Sequence, residues 1–176
     1  MSEFHRLIER EIPRLRRYAR ALTRSADRAD DLVQETLMRA LAKCHLWQEG
    51  TDLRAWLFTI MHNQYVNMVR RAMRDGANVD IEQISSALVA TTDPTASRQL
   101  RELERALSRL RGEHREVILL VGLEGMSYEA AAQILDVPVG TVRSRLSRGR
   151  DALRQLMDMP ERTKSAGEPD RVAEAA

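Results

Sequence analysis

The sequence has little cysteine and no long apolar run, and both absences narrow its class. Among 176 residues there is one cysteine, Cys44, so no disulfide can form within the chain, which favours a reducing compartment. No stretch approaches the roughly 20 apolar residues of a membrane-spanning helix. The first eleven residues are charged, which argues against a secretory signal. We therefore expect a soluble, cytoplasmic protein.

The side-chain patterns typical of catalysis are missing as well. The four histidines do not pair at metal-ligand spacing, and Cys44-His45 is an isolated neighbour pair. The sequence has no glycine-rich phosphate loop and no nucleophile elbow. We predict no metal site, no cofactor, no small-molecule substrate and no enzymatic activity.

Aromatic residues are scarce, at 4%, while Leu, Ala, Arg and Glu are abundant. These are helix-forming residues, and β-branched runs are short. The composition predicts an all-α protein.

Charge divides the chain into four segments. Residues 1–75 carry 14 basic and 10 acidic side chains, and residues 98–157 carry 11 and 8. Between them, residues 76–97 have no basic side chain, and residues 158–176 are polar and net acidic. We predict two small helical domains, 1–75 and 98–157, joined by a flexible linker at 76–97 and followed by a disordered tail at 158–176.

The first segment has the apolar spacing of three helices. Proline suits a first helical position, so helix one is predicted from Pro13 to Thr23 after a short lead-in. Ser25 or Asp27 would cap a second helix ending near Leu46. Asp52 would cap a third, ending near Arg74. Helix two would bury Val33, Leu37, Ala40, Leu41 and Cys44 and would expose a polar face of Asp31, Gln34, Glu35 and Met38.

The second segment begins with a helix whose leucines, 100, 103, 107 and 110, repeat at helical spacing, and Gly112 is predicted to end it. A helix from Glu113 to Leu123 follows, stopped by Gly125. A further helical turn is possible near residues 81–88.

From Ser127 the pattern is that of a helix-turn-helix. Ser127 is a suitable N-cap, Asp136-Val137-Pro138 is a tight turn, and a last helix is predicted from about Val139 to Leu156. Over residues 140–154 there are five arginines and one acid, Asp151. Arginine and short hydroxyl side chains suit phosphates and base edges in a major groove.

Two neighbouring stripes of the last helix could face DNA, and spacing alone leaves the choice open. One consists of Thr141, Ser144, Arg145 and Arg148, and the other of Arg143, Ser147, Arg150 and Arg154. The plainer interpretation is a solvated basic face on an ordinary core helix. Gly149 is either a tolerated weak spot or a point where DNA or a neighbouring helix passes closely.

Three stretches resemble one family. The segment Gly125–Glu129 followed by Pro138–Arg150 resembles region four of extracytoplasmic-function sigma factors. Ala29–Leu37 resembles their region two, and Arg54–Asn63 looks like their promoter-melting segment. The resemblance covers about residues 7–156. It implies a promoter-specificity subunit that binds core RNA polymerase, recognises −35 and −10 promoter elements and melts DNA at a specific, stress-response set of genes.

The resemblance also implies roles for individual residues. Asp31, Gln34, Glu35 and Arg39 would bind the clamp helices of the largest polymerase subunit, and region four would meet the flap of the second-largest. Trp47, Gln48, Thr51 and Asn63 would hold a flipped base of the −10 element. The recognition helix would meet the −35 element through Thr141, Arg143, Ser144, Arg145, Ser147 and Arg148.

Some of these residues have simpler explanations. Trp56 is expected in the core, Trp47 is either core or wedge, and Asn63 either holds a base or only satisfies backbone groups. Ser147 occupies a position whose chemistry varies in the family, and Ala130 and Ala131 depart from its acidic-then-branched pair. No third domain separates the two segments, so melting would rest on region two.

Two other functions compete with the sigma factor. A sigma-like decoy would sequester an anti-sigma factor without binding DNA, but its recognition helix should be degraded. A free-standing repressor or activator would need no polymerase-binding face. The family also implies control by an anti-sigma factor.

Overall fold

The computed structural model describes residues 3–75 and 94–158. In these two ranges it is helical, without a strand, which confirms the all-α prediction. The elements are α1 (Glu3–Thr23), α2 (Ala26–Ala42), a 3₁₀ turn (Cys44–Leu46), α3 (Leu53–Arg74), α4 (Pro94–Arg109), α5 (Gly112–Ile118), a π turn (Leu119–Leu123), α6 (Tyr128–Leu135) and α7 (Val139–Leu156).

Helices α1, α2 and α3 form the N-terminal domain around one apolar core. Leu15, Leu22, Leu57 and Phe58 are almost completely buried there. Ser25 caps α2 by accepting a hydrogen bond from the Arg28 amide, and Asp52 caps α3 by accepting one from the Ala55 amide at 3.0 Å. Of the two caps proposed for α2, Ser25 is therefore the one used.

The predicted start of helix one at Pro13 is wrong, because α1 is continuous from Glu3 and contains Pro13. An internal proline removes one backbone hydrogen bond and costs about 3 kcal/mol. Packing of the first half offsets that cost. Ile8 is buried, and the Phe4 ring packs against the Trp47 ring, with centroids 5.3 Å apart.

The predicted end of helix two is also wrong. Helix α2 ends at Ala42, and the chain tightens into the 3₁₀ turn. Leu41 lies within α2, about 100° around the helix from Ala40, and Cys44 begins the 3₁₀ turn, so both leave the predicted apolar face. Leu41 and Cys44 are exposed, whereas Val33 and Ala40 are buried as expected.

Helices α4 to α7 form the C-terminal domain. Leu107 and Leu110 are buried, as the leucine spacing predicts. Gly112 does not end α4; it is the first residue of α5. The helix predicted up to Leu123 widens into the π turn, and Gly125 then reverses the chain with φ +64°, a conformation that suits glycine.

The helix-turn-helix forms as predicted. Ser127 caps α6 by accepting a hydrogen bond from the Ala130 amide at 3.1 Å. Asp136 adopts a left-handed conformation with φ 52° and ends α6, and α7 begins at Val139. The predicted turn at residues 81–88 lies outside the described residues.

The two domains pack against each other. Helix α3 lies on α6, and α1 touches the π turn. This boundary includes buried charge, since Arg17 and Arg54 of the N-terminal domain contact the buried Glu124, and buried charged groups are unusual.

Candidate nucleic-acid and protein interfaces

The outer surface of α7 combines parts of both predicted stripes. Val142, Leu146 and Gly149 are buried. At 100° per residue, Ser144 lies nearly opposite Val142. The exposed residues around it are Arg143, Ser147 and Arg148, so the outermost surface crosses the border between the stripes.

The two edges of this surface are fixed by contacts to other helices. On one edge, the Arg143 guanidinium lies 5.8 Å from the centre of the Tyr128 ring of α6, within cation–π range. On the other edge, Arg145 is half-buried and forms a 3.2 Å ion pair with Glu113. Arg145 is thus partly committed to the fold, whereas Arg148 is exposed.

Two hydroxyl residues and one glycine complete α7. The Ser144 hydroxyl donates to the Thr141 carbonyl at 3.0 Å, and Thr141 is half-buried. Gly149 faces α5, where an added Cβ would lie 2.9 Å from Ile118 Cδ1 and 3.1 Å from His114 Cβ. The close neighbour of Gly149 is therefore a helix of the same domain.

Three of the predicted −10 residues lie in the loop between the 3₁₀ turn and α3. Gln48 and Thr51 are exposed, and the Thr51 hydroxyl donates to the Gln48 carbonyl at 2.7 Å. Trp47 is half-buried against Phe4. Its indole N–H is buried and has no hydrogen-bond acceptor among the described residues.

Asn63, the fourth predicted −10 residue, is exposed on α3. It follows Leu53, the first residue of that helix, by ten positions, which is roughly 15 Å along the helix axis. Asn63 therefore lies further along α3 than the loop that holds the other three predicted −10 residues.

The predicted polymerase-binding residues share the outer surface of α2. Asp31 and Gln34 are exposed. Glu35 and Arg39 are half-buried and form an ion pair at 2.8 Å, one helical turn apart. Met38 and Leu41, which are 60% and 41% exposed, add apolar area to this surface. A surface of mixed charge with exposed methionine and leucine is suited to a protein partner.

Sequence reasoning missed the charged residues between the domains. Glu116 and Glu124 are buried acids of the C-terminal domain, and their partners come from α1 and α3. Periodicity assigns neither acid to an interface, since the partners are distant along the chain. Arg54 and His62 belong to the stretch that resembles a melting segment, but nothing in the sequence indicates that they pair with acids.

Across residues 3–75 and 94–158, no three His, Cys, Asp or Glu side chains lie together in a way that could hold a metal ion. In the same ranges, no helix is both long enough and apolar enough to cross a membrane.

Two family models match this chain, one in each domain. "Sigma2 domain of PhyR" matches residues 8–62, and "Sigma-70, region 4" matches residues 100–153. Each match lies within helices that the structure groups into one domain.

Curated and solved relatives cover most of the chain. The sequence is 42% identical to the ECF RNA polymerase sigma factor EcfG of Rhodopseudomonas palustris over 83% of this chain and 80% of the relative. The structure is similar to the sigma factor RpoE of Bartonella quintana, solved with the anti-sigma factor NepR, with TM-score 0.78, 36% identity and coverage of 92% and 100%. It is also similar to CnrH, solved with the cytosolic domain of CnrY, with TM-score 0.64, 28% identity and coverage of 88% and 87%. The chain therefore belongs to the extracytoplasmic-function family of RNA polymerase sigma factors.

Proposed function

We propose that this chain directs core RNA polymerase to promoters by contacting two DNA elements, one with each domain. The observation that carries the proposal is the outer surface of α7. Arg143 and Arg148 on this surface, and Arg150 beside it, are exposed and form no ion pair within the described residues. A row of unpaired arginines on a helix-turn-helix suits the phosphates and guanines of a major groove.

Within that surface, the side chains divide into readers and supports. Arg143, Ser144 and Arg148 contact the −35 element, with Ser147 and Thr141 against the groove wall. Arg145 contributes less to the DNA contact than Arg148, because Glu113 already neutralises it. Arg143 lies on the Tyr128 ring. This contact already restricts the Arg143 side chain, so it loses less conformational entropy when it binds DNA.

The N-terminal domain contacts the −10 element at two separate places. Gln48 and Thr51 offer exposed polar groups beside the Trp47 ring, which is a stacking surface for an unpaired base. Asn63 lies roughly 15 Å further along α3, so it contacts a different nucleotide of the same strand. Together they stabilise the melted DNA.

Polymerase binds the outer surface of α2. Asp31, Gln34, Glu35 and Arg39 face the clamp helices of the largest subunit, with Met38 and Leu41 adding apolar contact, and the C-terminal domain meets the flap of the second-largest. The chain itself catalyses nothing, since RNA synthesis belongs to the polymerase. An anti-sigma factor holds it inactive in the cytoplasm, as the solved complexes of its relatives support.

Transcription in vitro tests this function. Purified core polymerase, with and without the full chain, is given a pool of genomic fragments, and the RNA 5′ ends are mapped. We expect new start sites that share −35 and −10 sequences. If no start site depends on the chain, it is not a sigma factor, and a decoy that only sequesters an inhibitor gives this result.

A further inference from the structure

The outer face of α1 carries arginines that have no part in the contacts to DNA and polymerase described above. Arg6, Arg10 and Arg14 are exposed, and none of them forms an ion pair or a side-chain hydrogen bond among the described residues. They follow one another at intervals of four residues, so each lies about 6 Å further along the helix axis than the last. These three residues are called the α1 stripe below.

The α1 stripe lies opposite the core of the N-terminal domain. At 100° per residue, its three arginines fall within about 80° of the helix circumference. Leu15 and Leu22 are almost completely buried, and they lie about 180° and 160° around the helix from Arg6. Packing of α1 on the core therefore leaves the α1 stripe facing solvent.

The charge of this face is positive overall. Helix α1 contains six arginines and three glutamates. The acids nearest the α1 stripe, Glu3 and Glu9, are exposed and form no ion pair among the described residues. Glu11 points to the other side, where its carboxylate lies 4.0 Å from Arg54 Nε. A row of exposed cations without a fixed counter-charge favours an anionic partner.

The α1 stripe begins beside the loop that carries three of the predicted −10 residues. Phe4, two residues before Arg6, packs on the Trp47 ring with centroids 5.3 Å apart and on the Trp56 ring at 6.3 Å. These contacts fix the start of α1 against the loop. The α1 stripe then runs about 12 Å along the helix axis, which is the rise of three to four nucleotides on one strand at about 3.4 Å each.

Duplex DNA fits the α1 stripe better than a protein does. The centre of a protein interface is depleted of charge and rich in apolar or aromatic side chains. Among the described residues, the large exposed apolar side chains lie on α2, the 3₁₀ turn, α3 and α7, and none is on α1. An arginine needs no apolar neighbour to bind phosphate, because its N–H groups form a fork that matches the phosphate oxygens.

We propose that the α1 stripe binds phosphates of the promoter duplex immediately upstream of the −10 element. The inference rests on the proposed function, which places an unpaired −10 base at the Trp47 ring. Melting opens the strands from the −10 element toward the start site, so the duplex that adjoins this base lies upstream. The contact reads no base. It adds affinity that is independent of sequence and holds the duplex at the point where the strands separate.

Salt-dependent promoter binding by the complete holoenzyme tests the contact. Core polymerase with the full chain is titrated onto a promoter mapped with the parent protein, at 50–200 mM salt. The variant combines Arg6→Gln, Arg10→Gln and Arg14→Gln. Each lost phosphate contact lowers the slope of log affinity against log salt by about 0.9. We therefore expect the affinity advantage of the parent over the variant to shrink about 40-fold across this fourfold range of salt.

Helix α4 offers a matched control, because it carries three exposed arginines at the same spacing in the other domain. The control variant combines Arg101→Gln, Arg105→Gln and Arg109→Gln. It removes the same charge and should keep the slope of the parent. A second α1 variant combines Arg6→Lys, Arg10→Lys and Arg14→Lys. It keeps the charge and should retain most of the slope, because lysine also binds phosphate.

Uncharged phosphate analogues locate the contact. Methylphosphonate linkages replace the phosphates of the three base steps immediately upstream of the −10 element. The parent should lose affinity on this DNA about as much as the glutamine variant of α1 loses on unmodified DNA. That variant should be insensitive to the analogues, because groups in direct contact give non-additive losses.

Several results would overturn the inference. Equal salt slopes in the parent and the α1 glutamine variant, or equal losses in the α1 and α4 variants, would show that the α1 stripe does not contact DNA. Additive losses on methylphosphonate DNA would place it away from these phosphates. A weaker affinity for core polymerase alone, with an unchanged salt slope, would make the partner an acidic protein surface. Absence of promoter-specific binding by the parent would remove the proposed function and this inference together, whereas the other results leave the proposed function standing.

Discussion

Arginines serve different purposes in two regions of the molecule, the boundary between the domains and the outer surface of α7. At the boundary, the guanidinium groups of Arg17, Arg24 and Arg54 contact fixed acceptors of the chain. On α7, Arg148 and Arg150 are exposed and have no acidic partner among the described residues. The same residue type therefore stabilises one region and leaves the other with unsatisfied positive charge.

The difference lies in the neighbouring acids. The C-terminal domain directs two acids, Glu116 and Glu124, toward the other domain. The one acid of α7 is Asp151, and it pairs with Arg154 at 3.1 Å. A charge that is already paired has less to gain from a phosphate. Substitutions in the two regions should therefore separate cleanly into losses of stability and losses of DNA binding.

The largest loss of stability is expected at Arg115, the most buried arginine of the described residues. Its guanidinium donates to the carbonyls of Leu107, Ser108 and Leu110 at 2.7–3.0 Å, and burial lowers its pKa. Arg115→Met leaves the Leu110 carbonyl without its donor, while the Leu107 carbonyl keeps the Leu110 amide and the Ser108 carbonyl keeps Arg24. We expect a loss of about 2–4 kcal/mol in the free energy of unfolding, measured by urea titration.

Arg109→Met is the matched control. Arg109 is the exposed last residue of α4, the helix end to which Arg115 donates. Its unfolding midpoint should stay within experimental error. A loss at Arg109 equal to that at Arg115 would show that net charge, and not buried hydrogen bonding, sets the stability.

The next effect concerns DNA. Arg148→Ala should weaken binding to the −35 element by about 1–3 kcal/mol if Arg148 contacts a base, with the unfolding midpoint unchanged. Arg145→Ala should lose less, because Glu113 already holds that guanidinium. Binding to duplexes with each −35 position changed measures both. A uniform loss across sequences, with a lower salt slope, would make Arg148 a phosphate contact.

Two glycines of α7 distinguish its inner and outer sides. Gly149→Ala should cost about 1 kcal/mol of stability, since overpacking against Ile118 and His114 exceeds the gain in helix propensity. Gly140 has no neighbour within 4 Å of an added Cβ, so Gly140→Ala should be neutral or stabilising. Thermal unfolding of the two variants measures this difference. Equal unfolding midpoints would show that the two glycines lie in the same environment.

The smallest effect is a pH dependence at the boundary. The pKa of Tyr18 is raised well above 10.0 by burial and then by Glu116, Tyr65 and Glu124. Below pH 10 the phenol is neutral in both states, so its contribution to stability is fully present. Above pH 10 the unfolded chain loses this proton first, and stability falls by at most about 1.4 kcal/mol per pH unit for this group.

Tyr18→Phe should flatten this alkaline slope. It should cost little stability at neutral pH, because the Tyr18 hydroxyl has no hydrogen-bond partner among the described residues. An unchanged slope in Tyr18→Phe would assign the alkaline loss to other groups, Tyr65 first, whose pKa burial also raises.

Local signals were sufficient to predict much of the fold. The caps at Ser25, Asp52 and Ser127 and the stop at Gly125 depend on side chains within a few residues of the helix ends, and each lies where the sequence indicates. The continuous α1 could not be predicted in this way. Pro13 signals a start, and the burial of Ile8 and the packing of Phe4 on Trp47 explain why the helix begins ten residues earlier.

The DNA-binding surface proposed on α7 was also predictable only in part. Composition and spacing identify α7 as a basic helix, but its outer surface depends on which neighbours bury Val142 and Gly149. The pairing of Arg17 with Glu124 joins residues 107 positions apart, and no periodicity encodes such a contact. Where charges meet across domains, the fold has to be known first.

Transcription in vitro from one promoter mapped with this chain tests most directly whether the outer surface of α7 and the domain boundary have separate roles. Core polymerase is supplied with limiting amounts of the parent protein, Arg148→Ala or Glu124→Gln, and specific transcript is quantified. We predict that Arg148→Ala loses about 5- to 150-fold, as expected for a base contact of about 1–3 kcal/mol, and that Glu124→Gln, away from the outer surface of α7, retains the parent level. Full activity of Arg148→Ala together with loss of activity in Glu124→Gln would contradict the division of roles between the two regions.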